Sequence, residues 1–335
     1  MADGTRQPGQ RGASWVRLPD PVDILTSQDL VLDFDGAMEL ARAYLDVDAR
    51  EHAAAVAVRA GGSGEADVRV AGELVTALIH LAEGESRQAV KCLKPLDGFS
   101  DLDVAAEVFL VRGMAMEARG KRGDADANYR LAMGLPRAIS AGLAAIRLAG
   151  MALATDDLDE AGRMLQAAMG CGVPVVTARA ELELALLLER SGNQEAAIKR
   201  YRAAIDSPQQ KTALHAAFNL AGLLRETGDS PEQLAESRHY LEQVHASGHP
   251  GYAPKAAVDL AVSLLEEERA DEAVPLLEEG TAAADPAVCA LAHFHLGIIL
   301  IDAEQARRHL RTAQKTGTGE VKTRAAEALR LRRDR

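Results

Sequence analysis

The stretch SGNQEAAIKRYRAAIDSP, residues 191–208, reads as a turn, an amphipathic helix and a stop. Gly192 falls just past a helical segment, where a left-handed cap suits glycine. Ala197, Tyr201 and Ala204 follow at i, i+4 and i+7, which is one stripe on a helix. Pro208 ends the segment, because proline lacks the N–H that a helix interior needs. The architecture turns on whether this is one helix among many or one copy of a unit.

The unit recurs. Steps of 36 residues back from Ala197 reach Ala161, Ala125, Ala89 and Ala53; forward, the matches are Ser237, Ala273 and Ala306, at intervals of 40, 36 and 33. A second column, in the preceding helix, is entirely small: Ala41, Ala77, Gly113, Ala149, Ala185, Ala221, Ala261 and Gly297. A third is large: Leu93, Tyr129, Leu165, Tyr201, Leu241, Leu277 and Leu310, with Ala57 as its weak first member. A fourth is mostly small again: Ala60, Ala132, Ala168, Ala204, Gly280 and Ala313, with Leu96 and Val244 as exceptions. Gly84, Gly120, Gly192 and Gly228 fall just past a helix, as left-handed caps require. Pro136, Pro174, Pro208, Pro250 and Pro286 fall between units.

These columns resemble the tetratricopeptide repeat, a helix–turn–helix unit with a small residue in the middle of helix A and another at the start of helix B. A large residue follows four positions later, then a further small one, then often a proline. Residues 191–208 are the best copy, with Ala185, Ala197, Tyr201, Ala204 and Pro208 in those roles, and Phe109–Pro136 is nearly as good. The resemblance runs from about Asp33 to Thr316. The period is 36 where the family's is 34, and the family's first aromatic is present at Phe109 but replaced by Ala37, Glu181 and Ala217 elsewhere. The Sel1-like repeat is the runner-up family, with a longer turn inside each unit. Only Gly228–Ser237 (GDSPEQLAES) has such a turn here, with about four residues inserted. The resemblance implies an all-α fold: an α-solenoid of about eight stacked helix pairs over residues 31–318. Residues 319–335 (GEVKTRAAEALRLRRDR) read as a charged capping helix. Residues 1–30 have three prolines and no helical period, and are expected to be mostly disordered or extended.

Composition agrees. Aromatics make up only 3% of the 335 residues while 47% are apolar, which favours helices packed through small side chains. The net charge of −12 argues against a nucleic-acid surface, which needs a basic stripe. Cys92, Cys171 and Cys289 are few, odd in number and far apart, as free thiols in a reducing compartment would be. No secretory signal or membrane-spanning run is read, so a cytoplasmic location and no membrane partner are expected.

In tetratricopeptide arrays the A helices line the concave surface where partners bind. The positions three before and one after the small column should point into it. Here the candidate partner-binding residues are Leu74, Leu78, Leu110, Met114, Leu182, Leu186, Phe218, Val258, Val262, Phe294 and Ile298. Carboxylate-clamp members of the family carry an asparagine after the small residue; no A helix here does. An apolar stripe suits an amphipathic helix or an extended apolar segment. Two other readings stay open: the superhelix buries the stripe itself, or the N-terminal segment around Trp15, Val16 and Leu18 fills it. Elsewhere the chemistry is thin. Cys289, His293 and His295 lack the further ligands zinc wants, and His239, His245 and His249 straddle a helix end. GGSG at 61–64 lacks the strand and the Lys-Ser/Thr of a phosphate loop. The expectation is a protein or peptide partner, with no catalytic residues, metal or cofactor. The function expected is a scaffold, adaptor or chaperone-like binder, with a sensor that closes on a peptide or small ligand as the alternative.

Overall fold

The computed structural model describes residues 20–27, 30–96, 100–228 and 230–332, so Trp15, Val16 and Leu18 lie outside the described residues. These residues form eighteen α-helices and one short 3₁₀ turn, with no strand among them. After α1 (Pro21–Thr26) come eight A/B pairs. The first four are α2 (Phe34–Asp46) with α3 (Arg50–Gly61), α4 (Ala66–Ala82) with α5 (Ser86–Leu93), α6 (Leu102–Ala118) with α7 (Arg122–Met133), and α8 (Ala138–Leu153) with α9 (Leu158–Met169). The next four are α10 (Pro174–Arg190) with α11 (Gln194–Ile205), α12 (Gln210–Thr227) with α13 (Pro231–Ala246), α14 (Ala253–Glu266) with α15 (Ala270–Thr281), and α16 (Pro286–Ile299) with α17 (Ala303–Thr316). The last helix is α18 (Gly319–Leu331). The fold is all-α and of the tetratricopeptide-like solenoid class. It divides into two compact units, Met1–Ala141 and Gly142–Arg335, the boundary falling within α8.

The turn from A to B is the same device repeated. Asp48, Gly84, Gly120, Asp156 and Gly192 stand 36 residues apart, and all have φ between 59° and 79°. In each case the next residue donates its N–H to the carbonyl five residues back. The bonds are Ala49 to Tyr44 O, Glu85 to His80 O, Lys121 to Met116 O, Asp157 to Ala152 O and Asn193 to Leu188 O, at 2.7–3.0 Å. This is a Schellman closure, which satisfies carbonyls that the end of helix A would leave bare. Glu268, at φ 61°, serves α14 in the same way. The sequence reading gave Gly228 this role as well, and the structure corrects it. Gly228 is extended (φ −74°, ψ 109°), because the inserted residues spread the reversal over a longer connection and restart the chain at the Ser230 cap of α13.

The small columns are where the helices touch. Ala53, Ala89, Ala125, Ala161, Ala197, Ala273 and Ala306 have no exposed surface. Ser237, the one polar member, donates its hydroxyl to Ala221 O at 2.7 Å. The third column is buried from Leu93 through Leu310, each leucine there contributing about 1.5–3 kcal/mol by leaving water. Its two tyrosines carry their hydroxyls inward and find carboxylates on the paired A helix: Tyr129 donates to Glu117 and Tyr201 to Glu189, both at 2.5 Å. Burial and the Glu189 bond push the Tyr201 phenol far above its ordinary pKa.

Within residues 1–30, expected to be mostly disordered or extended, α1 is a helix. Asp20 caps it by accepting from Asp23 N at 2.9 Å, Pro21 starts it, and Ile24 is fully buried. Arg59 on α3 donates to Ile24 O, Ser27 O and Leu30 O at 2.5–2.8 Å, satisfying the carbonyls of so short a helix. No local periodicity signals this; the helix exists because α3 supplies both a hydrophobic seat and a donor.

A pair of substitutions tests the close-approach argument. A Cβ on Gly113 would lie 2.5 Å from the Tyr129 ring, so Gly113→Ala is expected to lower stability by about 1–3 kcal/mol through overpacking. Gly150, also inside an A helix, has nothing within 4 Å of that position, so Gly150→Ala is expected to raise stability by about 0.5–1 kcal/mol. Urea denaturation of the two variants reads the difference in sign.

Candidate functional site

On a helix of 3.6 residues per turn, the position three before the small column lies about 60° round from it, and the position one after lies about 100° round. That difference decides exposure. At the first position Leu74, Leu110, Leu182, Val258 and Phe294 are all buried, between 0% and 4% exposed, and belong to the stack interior. Phe218 is the exception, half-buried on α12. At the second position Met114, Leu186 and Val262 are half-buried, Ile298 is 46% exposed, and Leu78 is buried.

The two units treat this face differently. In the first, an ion network lies across it. Glu107 on α6 has no exposed surface, yet Arg42 on α2 pairs with it, Ser140 on α8 donates to it at 2.8 Å, and the Arg137 guanidinium stands 3.4 Å away. Arg137 also pairs with Asp35 at 2.5 Å and lies over the Phe34 ring, 5.0 Å from its centroid. A carboxylate stripped of water is tolerable only with such partners. In this unit the face is occupied by the chain's own side chains.

In the second unit the face holds a cavity of ≈620 Å³. It is walled by α10, α12 and α14 together with the first turn of α13. Phe218, Gly222, Leu223, Val262 and Leu234 supply its apolar wall; Glu189, Asn219, Arg225, Glu226 and Glu266 supply its polar one. Of the residues expected from the sequence, the cavity brings together Phe218 and Val262, while Leu182 and Val258 lie in the neighbouring core. The expected apolar stripe is therefore a mixed surface. The polar members went unread because a groove subtends more than two positions per helix. Positions five after and two before the small column lie at about 140° and 160°, and these are Glu226, Glu266 and Asn219. Leu234, 48% exposed, comes from the inserted stretch Gly228–Ser237.

Electrostatics set the roles. Glu189 is held by the Tyr201 hydroxyl, and Asn219 bonds to the same phenol. Arg225 has its Nη1 buried without a hydrogen-bond partner, and its charge acts on Asp259. Burial pushes the Asp259 carboxyl up, and Arg225 pulls it part of the way back.

The histidine and cysteine candidates resolve into local contacts. Cys289 donates to Thr281 O at 3.2 Å, while His293 turns to His309, Nδ1 to Nδ1 at 2.8 Å. His245 meets Glu279 at 2.7 Å, and His249 accepts from Gly251 N at 3.1 Å. In the first unit His80, Glu83 and Glu85 gather at the exposed α4–α5 turn, with His80 Nδ1 3.0 Å from Glu85, the geometry of a surface ion pair. No helix is long and apolar enough to cross a membrane among the described residues.

No family model and no curated protein matches the chain. Its fold is similar to solved tetratricopeptide structures. One is a signal transduction ATPase with numerous domains, a STAND protein with a tetratricopeptide repeat sensor, from Pyrococcus horikoshii. The TM-score is 0.59 and the identity 13%, over 90% of this chain and 50% of that one. This chain thus spans about half the length of that relative. Another is a Rap protein complexed with competence and sporulation factor, with TM-score 0.50 and 14% identity over 90% of this chain and 94% of that one. These likenesses make the chain a tetratricopeptide-like repeat protein in fold.

Two outcomes follow from the charged groups. Arg137→Met removes one of two cations facing a buried carboxylate and is expected to cost about 3–5 kcal/mol in denaturation. His215, His249, His293, His295 and His309 all have lowered basicity, burial being the first cause in each; neighbouring lysines or arginines add to it at His215, His249 and His295, the His309 ring adds to it at His293, and Glu278 partly restores His309. The unfolded chain protonates first as pH falls below about 6.5, so stability is full above that value and declines below it. His293→Gln should flatten that decline, read as the urea midpoint against pH.

Proposed function

We propose that the protein is a non-catalytic interaction module that binds a peptide segment of a partner protein in the cavity of its second unit. The observation that carries this reading is Gly222. Glycine inside a helix costs about 1 kcal/mol relative to alanine. At Gly222 nothing lies within 4 Å of where a Cβ would stand, so packing does not require it. It faces the cavity instead, beside Phe218 and Val262, where a bare backbone lets a ligand approach closely. A half-buried phenylalanine, a valine and an exposed leucine around it form an apolar anchor site of the kind that receives one or two side chains of a helix or extended segment. The lining holds glutamates but no serine, cysteine or histidine, so no nucleophile paired with a histidine base stands in it. Two tetratricopeptide neighbours, one described as a sensor and one solved with a bound factor, support ligand binding in this fold class.

A second reading has one observation in its favour. The volume falls in the range that small-molecule sites occupy. A sensor that closes on a small ligand would compact on binding, whereas a scaffold would keep its dimensions, and X-ray scattering with and without ligand separates the two.

Gly222→Leu fills the cavity without touching the core. Peptide binding is expected to fall at least about tenfold, with the helical circular dichroism unchanged. Unchanged affinity would place the site elsewhere. Leu182→Glu is a poorer probe, because Leu182 is 4% exposed and a glutamate there would unfold the pair.

A further inference from the structure

We propose that the cavity selects a partner segment carrying a lysine or arginine beside its apolar anchor, and that Glu226 and Glu266 are the residues that read this cation. The proposal rests on the groove reading above and adds the chemistry of the occupant. Three carboxylates and one guanidinium line the cavity, Glu189, Glu226 and Glu266 against Arg225, a net charge of −2. Arg225 makes no ion pair with either glutamate among the described residues, and its charge acts on Asp259. Glu189 is engaged by Tyr201. Glu226 and Glu266 are exposed, and neither carboxylate has a hydrogen bond or ion pair among the described residues.

Their position is unfavourable for the helices that carry them. Glu189, Glu226 and Glu266 all stand in the last turn of an A helix, where the helix dipole is negative and a carboxylate is the wrong charge. One such residue is unremarkable. Three on successive A helices, converging on one cavity whose floor is apolar, break a local rule at the place where a ligand would restore the balance. A cation seated between Glu226 and Glu266 would meet both carboxylates and the C-terminal carbonyls of α12 and α14, while its neighbouring apolar side chain meets Phe218, Val262 and Leu234 beside the bare backbone of Gly222. An anionic or purely apolar segment would leave that negative end uncompensated.

The test is a display selection of random dodecapeptides on the full chain, repeated on the Glu226→Gln, Glu266→Gln double variant and on Gly222→Leu. The glutamine variant removes charge from helix C-termini, so it should fold at least as stably as the parent. The expected result is enrichment of lysine or arginine next to leucine, isoleucine or phenylalanine on the parent chain, absent on the double variant. A selected peptide labelled with fluorescein should bind about tenfold more tightly than its glutamine-for-cation version, and added salt should narrow the gap. Apolar peptides recovered equally on parent and double variant, yet lost on Gly222→Leu, would overturn the cation proposal and leave the groove reading standing. Peptides that survive Gly222→Leu, or no recovered peptide at all, would overturn both. Peptide binding that appears only after residues 1–19 are deleted would assign the cavity to the chain's own N-terminal segment and overturn the partner proposal.

Discussion

The contact on which the rest depends is the crossing of helix A and helix B within each pair. Side chains there are alanine, glycine or one serine, so two backbones approach closely enough for a single large residue, leucine or tyrosine in every pair after the first, to close the gap four positions on. Gly113 and Tyr129 show how tight the fit is, since even a methyl group would meet the ring at 2.5 Å. Once that crossing is set, the left-handed turn before helix B has a fixed place. The recurrence of Asp48, Gly84, Gly120, Asp156 and Gly192 at one spacing expresses the same constraint along the chain. A pair held in this way buries only one side of each helix, and its neighbours must cover the rest.

The crossing also aims the groove. Because the small column points at helix B, positions about 100–160° round helix A are left for whatever lies on the other side. In the first unit this is Glu107 with Arg42, Arg137 and Ser140, a polar plug made of the chain's own side chains. In the second it is a cavity walled by Phe218, Gly222, Val262 and Leu234 with unpaired glutamates at its rim. One repeat register therefore yields two opposite surfaces, decided by which residues the chain places on a face that the fold itself leaves unspecified. The same stripe is thus filled by the chain's own side chains in one unit and borders an open cavity in the other.

The eight pairs, the small columns, the turn glycines and the tyrosine core of residues 191–208 were legible in the sequence, because each is a local spacing on a helix of known pitch. The sequence by itself determined the fold class. Short-range sterics at Ala185, Ala197, Tyr201 and Ala204 admit one way for the pair to close, and stacking follows from the apolar surface left over. What only the tertiary structure decided was which of the groove candidates meet solvent and what stands beside them. Leu182 and Leu186 read alike in the sequence, yet a 40° difference in direction puts one in the core and leaves the other half-exposed. Nothing in the sequence sets Glu226 and Glu266 apart until α12 and α14 bring them to one cavity. Helix α1 exists because Arg59, more than thirty residues away, reaches its carbonyls. Spacing along one helix is a one-dimensional property; a cavity is made by several helices at once, and its chemistry appears only when they are packed.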